Sequence, residues 1–166
     1  EKIIEAARTS GAQAVHPGYG FLSENADFAG ACEAAGLIFI GPSPDAIRLM
    51  GNKAEAKRRM LDAKVPCVPG YEGADQSDRA LIAEGEKISA PLMVKAAAGG
   101  GGRGMRLVND MAELVNAIKL ARAEAESAFG NGELILEKAI VRPRHVEVQV
   151  FADTQGNTIH LGERDC

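Results

Sequence analysis

The segment that most constrains this chain is Lys95-Ala-Ala-Ala-Gly99-Gly-Gly-Gly102-Arg103-Gly104, where an apolar run, Leu92 to Val94, leads a lysine into five glycines within six positions. Glycine loses more conformational freedom on folding than any other residue, and two or three suffice for a hairpin turn. Five point instead to a loop whose successive backbone N–H groups face one anion, with Lys95 and Arg103 supplying charge for a polyphosphate. The alternative is a flexible turn with no ligand. Context removes three other phosphate-loop patterns. Gly99, Gly101 and Gly104 satisfy G-x-G-x-x-G, but a dinucleotide fingerprint opens a helix, whereas Met105-Arg106-Leu107-Val108 reads as strand. A protein-kinase lysine follows its glycine loop, and Lys95 precedes it. The Gly-Lys-Ser/Thr that ends a P-loop is missing.

Patterning on either side of the loop gives an α/β and α+β chain. Residues 1–41 alternate helical stretches (Lys2 to Thr9, Ala26 to Ala35) with strand-like ones (Ala14-Val15, Leu37 to Ile40), as at the end of an open parallel sheet. Pro42 and Pro44 punctuate the chain there. Residues 42–67 form a helical connector, with helical pieces at Ile47 to Met50 and Lys53 to Ala63, and Pro66 and Pro69 mark its close. Residues 68–139 read as helix (Ser77 to Ile88), strand (Leu92 to Ala96), glycine loop, strand (Met105 to Val108), helix, strand (Leu134 to Glu137), the order of a small α+β lid. Its long helix carries Met111, Leu114, Val115, Ile118, Ala121, Ala125 and Phe129 at three- and four-residue spacing, with Asp110 as N-cap. Residues 140–166 start an antiparallel sheet, in which Arg144 to Phe151 and Thr158 to Leu161 flank a turn at Asp153 to Asn157.

Composition excludes several classes. A chain of 166 residues buries roughly 70% of its unfolded surface, and 46% apolar with 25% charged residues is an average globular balance. The net charge of −4 argues against a general nucleic-acid surface, so an anion site has to be local. Only 4% of residues are aromatic, too few for base-stacking platforms. No apolar run reaches the roughly 20 residues of a membrane helix, and Glu1-Lys-Ile-Ile-Glu5 is no signal peptide. Cys32, Cys67 and Cys166 are odd in number and far apart, which suggests neither a disulfide framework nor a zinc site. Residue 1 is not Met and the start reads as mid-helix, so the chain is expected to be an excerpt of a longer one.

Four further segments bear on chemistry, each with a plain structural alternative. Leu134-Ile-Leu-Glu137-Lys138-Ala139-Ile140 is a β-prone run that either ends at a cleft, where its backbone reads a base edge, or is an ordinary strand. Period two puts His145, Glu147 and Gln149 on one face and the valines on the other, making a wet sheet face or the polar wall of a nucleotide cleft. Lys53, Lys57, Arg58 and Arg59 form a basic cluster expected to be a solvated face, with only Lys53 placed to reach inward. His16-Pro-Gly-Tyr19-Gly-Phe-Leu-Ser-Glu24-Asn25 sits between strand and helix, where open α/β sheets hold ligands, or is a structural turn capped by Ser23 or Asn25.

In order, HPGYGFLSEN, IFIGPS, GNKAEAK, VKAAAGGGGRGMR, LEKAI, RPRHVEVQVFAD and ERDC make the whole chain resemble the biotin carboxylase component of biotin-dependent carboxylases. The RPRHVEVQVF form is most similar to acyl-CoA carboxylase subunits. The resemblance implies the end of a pre-ATP-grasp domain (1–41), a connector (42–67), the ATP-grasp lid (68–139) and the start of the C-terminal ATP-grasp subdomain (140–166). It further implies a ligase in which bicarbonate attacks the γ-phosphate of Mg-ATP to give carboxyphosphate, whose carbon dioxide passes to N1′ of biotin.

Carried over by position, Lys53 and Lys95 would neutralise ATP phosphates, Gly101 and Gly102 would lie in the lid loop over them, and Met105 would pack near adenine. Glu137, Lys138, Ala139 and Ile140 match the hinge that reads adenine, and His145 matches a nucleotide contact. Tyr19 and Glu24 would lie on the biotin and bicarbonate side. Magnesium or manganese ligands and the catalytic residues are expected beyond Cys166, so the 166 residues alone would be inactive. The implied partners are the biotin carboxyl carrier domain and the carboxyltransferase component, in an oligomeric parent of bacterial cytoplasm or mitochondrial matrix. One departure stands out: Ala96-Ala97-Ala98 replaces the Ser or Gly that relatives often carry after the strand lysine. A different ATP-grasp ligase, or a non-catalytic nucleotide-binding module, is the competing reading.

Overall fold

Three separate sheets organise the described residues, and each is dressed differently. The computed structural model describes residues 1–99 and 103–166. Helix α1 (Lys2–Ser10), strand β1 (Ala14–Val15), a 3₁₀ turn (Phe21–Glu24), α2 (Ala26–Ala34) and β2 (Ile38–Phe39) form the first unit. Its two strands are parallel, Ala14 opposite Ile38, joined by the α2 crossover. Ala7, Cys32 and Leu37 make a small core, with Phe28 and Phe39 edge-to-face at 6.0 Å against it. Asn25, not Ser23, caps α2, accepting from Phe28 N at 2.7 Å. Ser23 donates instead to the Gly20 carbonyl.

Pro44 does not break the chain. It starts α3 (Pro44–Gly51), with the Ser43 hydroxyl accepting from Ala46 N. Proline suits the first helical turn because its missing N–H would have no partner there. Helix α4 (Lys53–Asp62) follows at once, and a short strand β3 (Gly70–Tyr71) comes after Pro69. Two residues between turn-formers carry no period, so β3 has no sequence signal; pairing with a partner far along the chain creates it.

Helix α5 (Asp78–Ile88), β4 (Leu92–Ala96), β5 (Met105–Val108), a 3₁₀ turn (Met111–Glu113), α6 (Leu114–Phe129) and β6 (Leu134–Lys138) complete the second unit. Asp110 caps the 3₁₀ turn that leads into α6, accepting from Ala112 N at 3.0 Å. The sheet runs β3-β6-β4-β5, antiparallel throughout. On one face Leu92, Val94, Leu134 and Leu136 pack under α5 and α6 with Leu81, Leu114, Ile118 and Ala121. On the other face Ile135 is buried against Ala54 of α4 and Ala97. The continuous apolar run Leu134-Ile135-Leu136 follows from this, because β6 is covered on both sides.

A third sheet is the hairpin of β7 (Val146–Ala152) and β8 (Thr158–Asp165), turned at Asp153–Asn157 as expected. Strand β8 runs four residues past the expected end at Leu161, and its register shifts between Val148 and Val150, where Gly162 takes φ 89°.

Candidate functional site

The face of the four-stranded sheet turned toward α4 carries the candidate chemistry. Register places Lys95 between Met105 on β5 and Ile135 on β6, and places Glu137 in the next row between Met93 and Gly70. Lys95 Nζ lies 2.5 Å from Glu137 Oε2. Strand β4 ends at the glycine loop, whose foot is closed by Ala96 N–H donating to the Gly104 carbonyl at 2.9 Å. Gly104 has φ 67°, and a Cβ there would lie 2.8 Å from that of Ala96, so only glycine fits. Gly101 and Gly102 lie outside the described residues.

Lys53 arrives from α4. Asn52 caps that helix through Ala54 N and Glu55 N, and its amide reaches Glu133 at 3.2 Å. Lys53 N–H donates to the Ala97 carbonyl at 2.9 Å, so the helix start is fastened to the end of β4. Its ammonium donates to the Gly99 carbonyl. Burial, then the like charge of Lys95, holds the Lys53 ammonium below the usual lysine range. Two lysines near one another at the foot of a glycine loop, one of them paired with Glu137, are chemically able to hold an anion. A concavity of about 570 Å³ opens there, lined by Glu24, Met50, Lys53 and Gly99 among others. Sequence reasoning expected Lys53, Lys95, Met105 and Glu137 at one site, and all four lie on this side of the sheet or at the adjoining helix start.

Lys57 corrects that reasoning. Expected on a solvated face, it is the one buried charged residue among those described, 8% exposed, with Nζ 3.1 Å from Glu137 Oε1 and 3.4 Å from Glu72 Oε2. The signal was available: Lys57 is four residues after Lys53 and three after buried Ala54, hence on the same helix face. Burial alone would raise the Glu137 carboxyl. Hydrogen bonds from Lys95 and Lys57 and their charges outweigh it, holding Glu137 below the usual carboxylate range. The ionised form therefore contributes stability above that range, lost as pH falls through the depressed value.

The rest of the expected hinge is partly engaged within the chain. Lys138 and Ala139 N–H donate to the Pro69 and Pro91 carbonyls, and the Lys138 ammonium binds the Ser89 and Ala90 carbonyls. Among the described residues, the backbone N–H of Ile140 makes no hydrogen bond. Exposed His145 precedes β7, and its carbonyl accepts from Cys166 N at 2.9 Å. Gln149 donates to Glu147, which also pairs with Arg164, so the polar hairpin face exists. Tyr19 is 93% exposed beside His16 and does not line the concavity at Lys53.

Comparison with known proteins decides the family. Residues 1–47 match the biotin carboxylase N-terminal domain, and residues 52–166 match the family described as carbamoyl-phosphate synthase L chain, ATP binding domain. The chain belongs to the biotin carboxylase family. It is 54% identical to a Pseudomonas aeruginosa biotin carboxylase and to the mitochondrial methylcrotonoyl-CoA carboxylase subunit alpha of Dictyostelium discoideum, each over 99% of its length. It spans 37% and 24% of those relatives. A Campylobacter jejuni biotin carboxylase solved with β,γ-ATP superposes with a TM-score of 0.93 at 49% identity, covering 99% of this chain and 37% of that one. The biotin carboxylase domain dimer of the Hydrogenobacter thermophilus 2-oxoglutarate carboxylase, solved with ADP, magnesium and bicarbonate, gives 0.92 at 49%, covering 99% and 36%. No helix among the described residues is long and apolar enough to cross a membrane.

The family implies magnesium, and the residues present do not suit it. Among those described, the cluster of metal-ligating side chains is His145, Glu147 and Cys166, with donor atoms within 4.8 Å of one another. Magnesium takes oxygen ligands, whereas this nitrogen, oxygen and sulfur set suits a softer ion. Arg164 already pairs with its carboxylate.

Proposed function

We propose that this chain is the nucleotide-binding part of a biotin carboxylase, an ATP-dependent ligase. One observation carries the reading: Lys53 and Lys95 are brought together at the foot of the glycine loop, where burial first and the charge of Lys95 second disfavour the Lys53 ammonium, and a polyphosphate would offset both. In this reading a bicarbonate oxygen bonds to the γ-phosphorus and the bond to the ADP oxygen breaks, giving carboxyphosphate. Its carboxyl C–O bond to phosphate then breaks, phosphate leaves, and the carbon dioxide bonds to N1′ of biotin on a carrier domain, the N1′ proton passing to phosphate. This chain's residues bind and orient the nucleotide: Lys53 and Lys95 on phosphates, Gly101 and Gly102 in the loop over them, Met105 beside the base. Glu137, Lys138, Ala139 and Ile140 form the adenine hinge, with His145 on the cleft wall.

Glu24, on the same concavity as Lys53, and Tyr19 face the bicarbonate and biotin side. The division into 1–41, 42–67, 68–139 and 140–166 belongs to the same proposal. Methylcrotonoyl-CoA carboxylase relatives support an acyl-CoA carboxylase as parent, working with a carrier domain and a carboxyltransferase component, and the dimeric relative supports an oligomer. Bacterial and mitochondrial relatives support cytoplasm or matrix as the compartment.

The test is ADP release by the full-length protein carrying this sequence, with Mg-ATP and bicarbonate, with and without free biotin, beside Lys95→Ala. Biotin-stimulated turnover is expected, with the variant losing about 1–3 kcal/mol of nucleotide binding. Bicarbonate-dependent turnover indifferent to biotin would instead indicate another ATP-grasp ligase.

A further inference from the structure

Lys57 is the buried charge that the proposed reaction leaves without a role, and its surroundings are specific. Its ammonium occupies the space over Gly70, where a Cβ would lie 2.5 Å from Nζ and 2.2 Å from the Leu136 carbonyl. Gly70 is directly opposite Glu137 in the β3–β6 register. Strand β3 therefore opens a passage through which a helix lysine reaches a carboxylate on the neighbouring strand. That carboxylate is divided: Oε1 takes Lys57 at 3.1 Å, and Oε2 takes Lys95 at 2.5 Å. Behind Lys57 stands Glu72, whose Oε2 is buried without a hydrogen bond, 3.4 Å from Nζ. Arg58, also on α4, is turned to the Glu72 carbonyl and toward Glu133.

We propose that Lys57 is a positioning residue for Lys95, acting through Glu137. The inference rests on Lys95 being a phosphate ligand. With Lys57 fixing Oε1, the carboxylate presents Oε2 to Lys95 in one orientation and is itself partly neutralised. The Lys95 ammonium is thereby held in one place on Glu137 with its charge still available to an anion. Without Lys57, two half-buried carboxylates lose their shared cation and Glu137 falls to Lys95 alone, cancelling the charge that a polyphosphate needs.

The test is calorimetric titration of ATP into the full-length protein, comparing wild type with Lys57→Met, Lys57→Met/Glu72→Gln, Lys95→Met and Lys57→Met/Lys95→Met. Lys57→Met is expected to weaken Kd about tenfold at unchanged stoichiometry, because Glu137 then neutralises the Lys95 charge offered to the anion. The Lys57→Met/Glu72→Gln protein removes the buried ammonium together with the half-buried Glu72 charge beside it, so it is expected to fold even where the single variant does not. It is expected to remain about tenfold weak. In the Lys95→Met background, Lys57→Met adds nothing, as a residue acting through Lys95 requires.

Wild-type affinity in the Lys57→Met/Glu72→Gln protein would show that Lys57 merely neutralises Glu72, and full additivity with Lys95→Met would equally overturn the proposal. Absence of saturable ATP binding by the wild type defeats the nucleotide reading itself, a result distinct from variants that bind as wild type does.

Discussion

The β4–β6 pair and the β7–β8 pair are both antiparallel ladders of apolar-rich strands, yet they end in opposite environments. Along β4 and β6, Leu92, Val94, Leu134 and Leu136 are fully buried. Along β7 and β8, Val146, Val148, Val150, Ile159 and Leu161 are 45–64% exposed. Backbone pairing is common to both, so the ladder is not what separates them. Helices α5 and α6 cover one face of the first sheet and α4 touches the other, whereas no helix among the described residues covers the valine face of the hairpin. A strand pair gains its apolar stabilisation from the layer laid on it.

The sharpest way to break this contrast is to cut the covering layer. Ile118→Ala, packed on the four-stranded sheet, is expected to lower the unfolding free energy of the 166-residue chain by about 2–5 kcal/mol in denaturant titration, as a buried large-to-small change does. A loss below about 1 kcal/mol would mean that the α6 interface is not a close-packed core. Next in size, Gly162→Ala forces a side chain onto φ 89° in the hairpin bulge. It is expected to cost about 1–2 kcal/mol locally, read as faster amide exchange in β7 and β8 with the four-stranded sheet unaffected. Smallest is Val148→Thr, expected to move stability by no more than about 0.5 kcal/mol because the residue is 59% exposed. A cost near that of Ile118→Ala would show the valine face to be packed in solution and would erase the contrast.

Much of the architecture was legible in the residues. Helix α6 announced itself through Leu114, Ile118, Ala121 and Ala125, all buried as their spacing implied. Strand β4 and the turn at Asp153–Asn157 were equally plain. Strand β3 was not, since a two-residue strand has no period, and neither was the helical role of Pro44, which reads as a break unless Ser43 is recognised as its cap. At the candidate site, Lys53 and Lys95 could be picked out because a helix start and a glycine loop mark them. Lys57 was hidden among four basic residues on one helix, where charge alone says solvent.

By itself, the sequence determined the order of elements apart from β3, the lysine that runs into the glycine loop and the family, because these depend on local spacing and residue identity. Only the tertiary structure decided which carboxylate serves which lysine. Glu137 lies 42 residues from Lys95 and 80 from Lys57, separations at which no periodicity relates them. The register of β6 between β3 and β4, and the space left over Gly70, bring the three charges together; chain folding sets those distances, and composition carries no record of them.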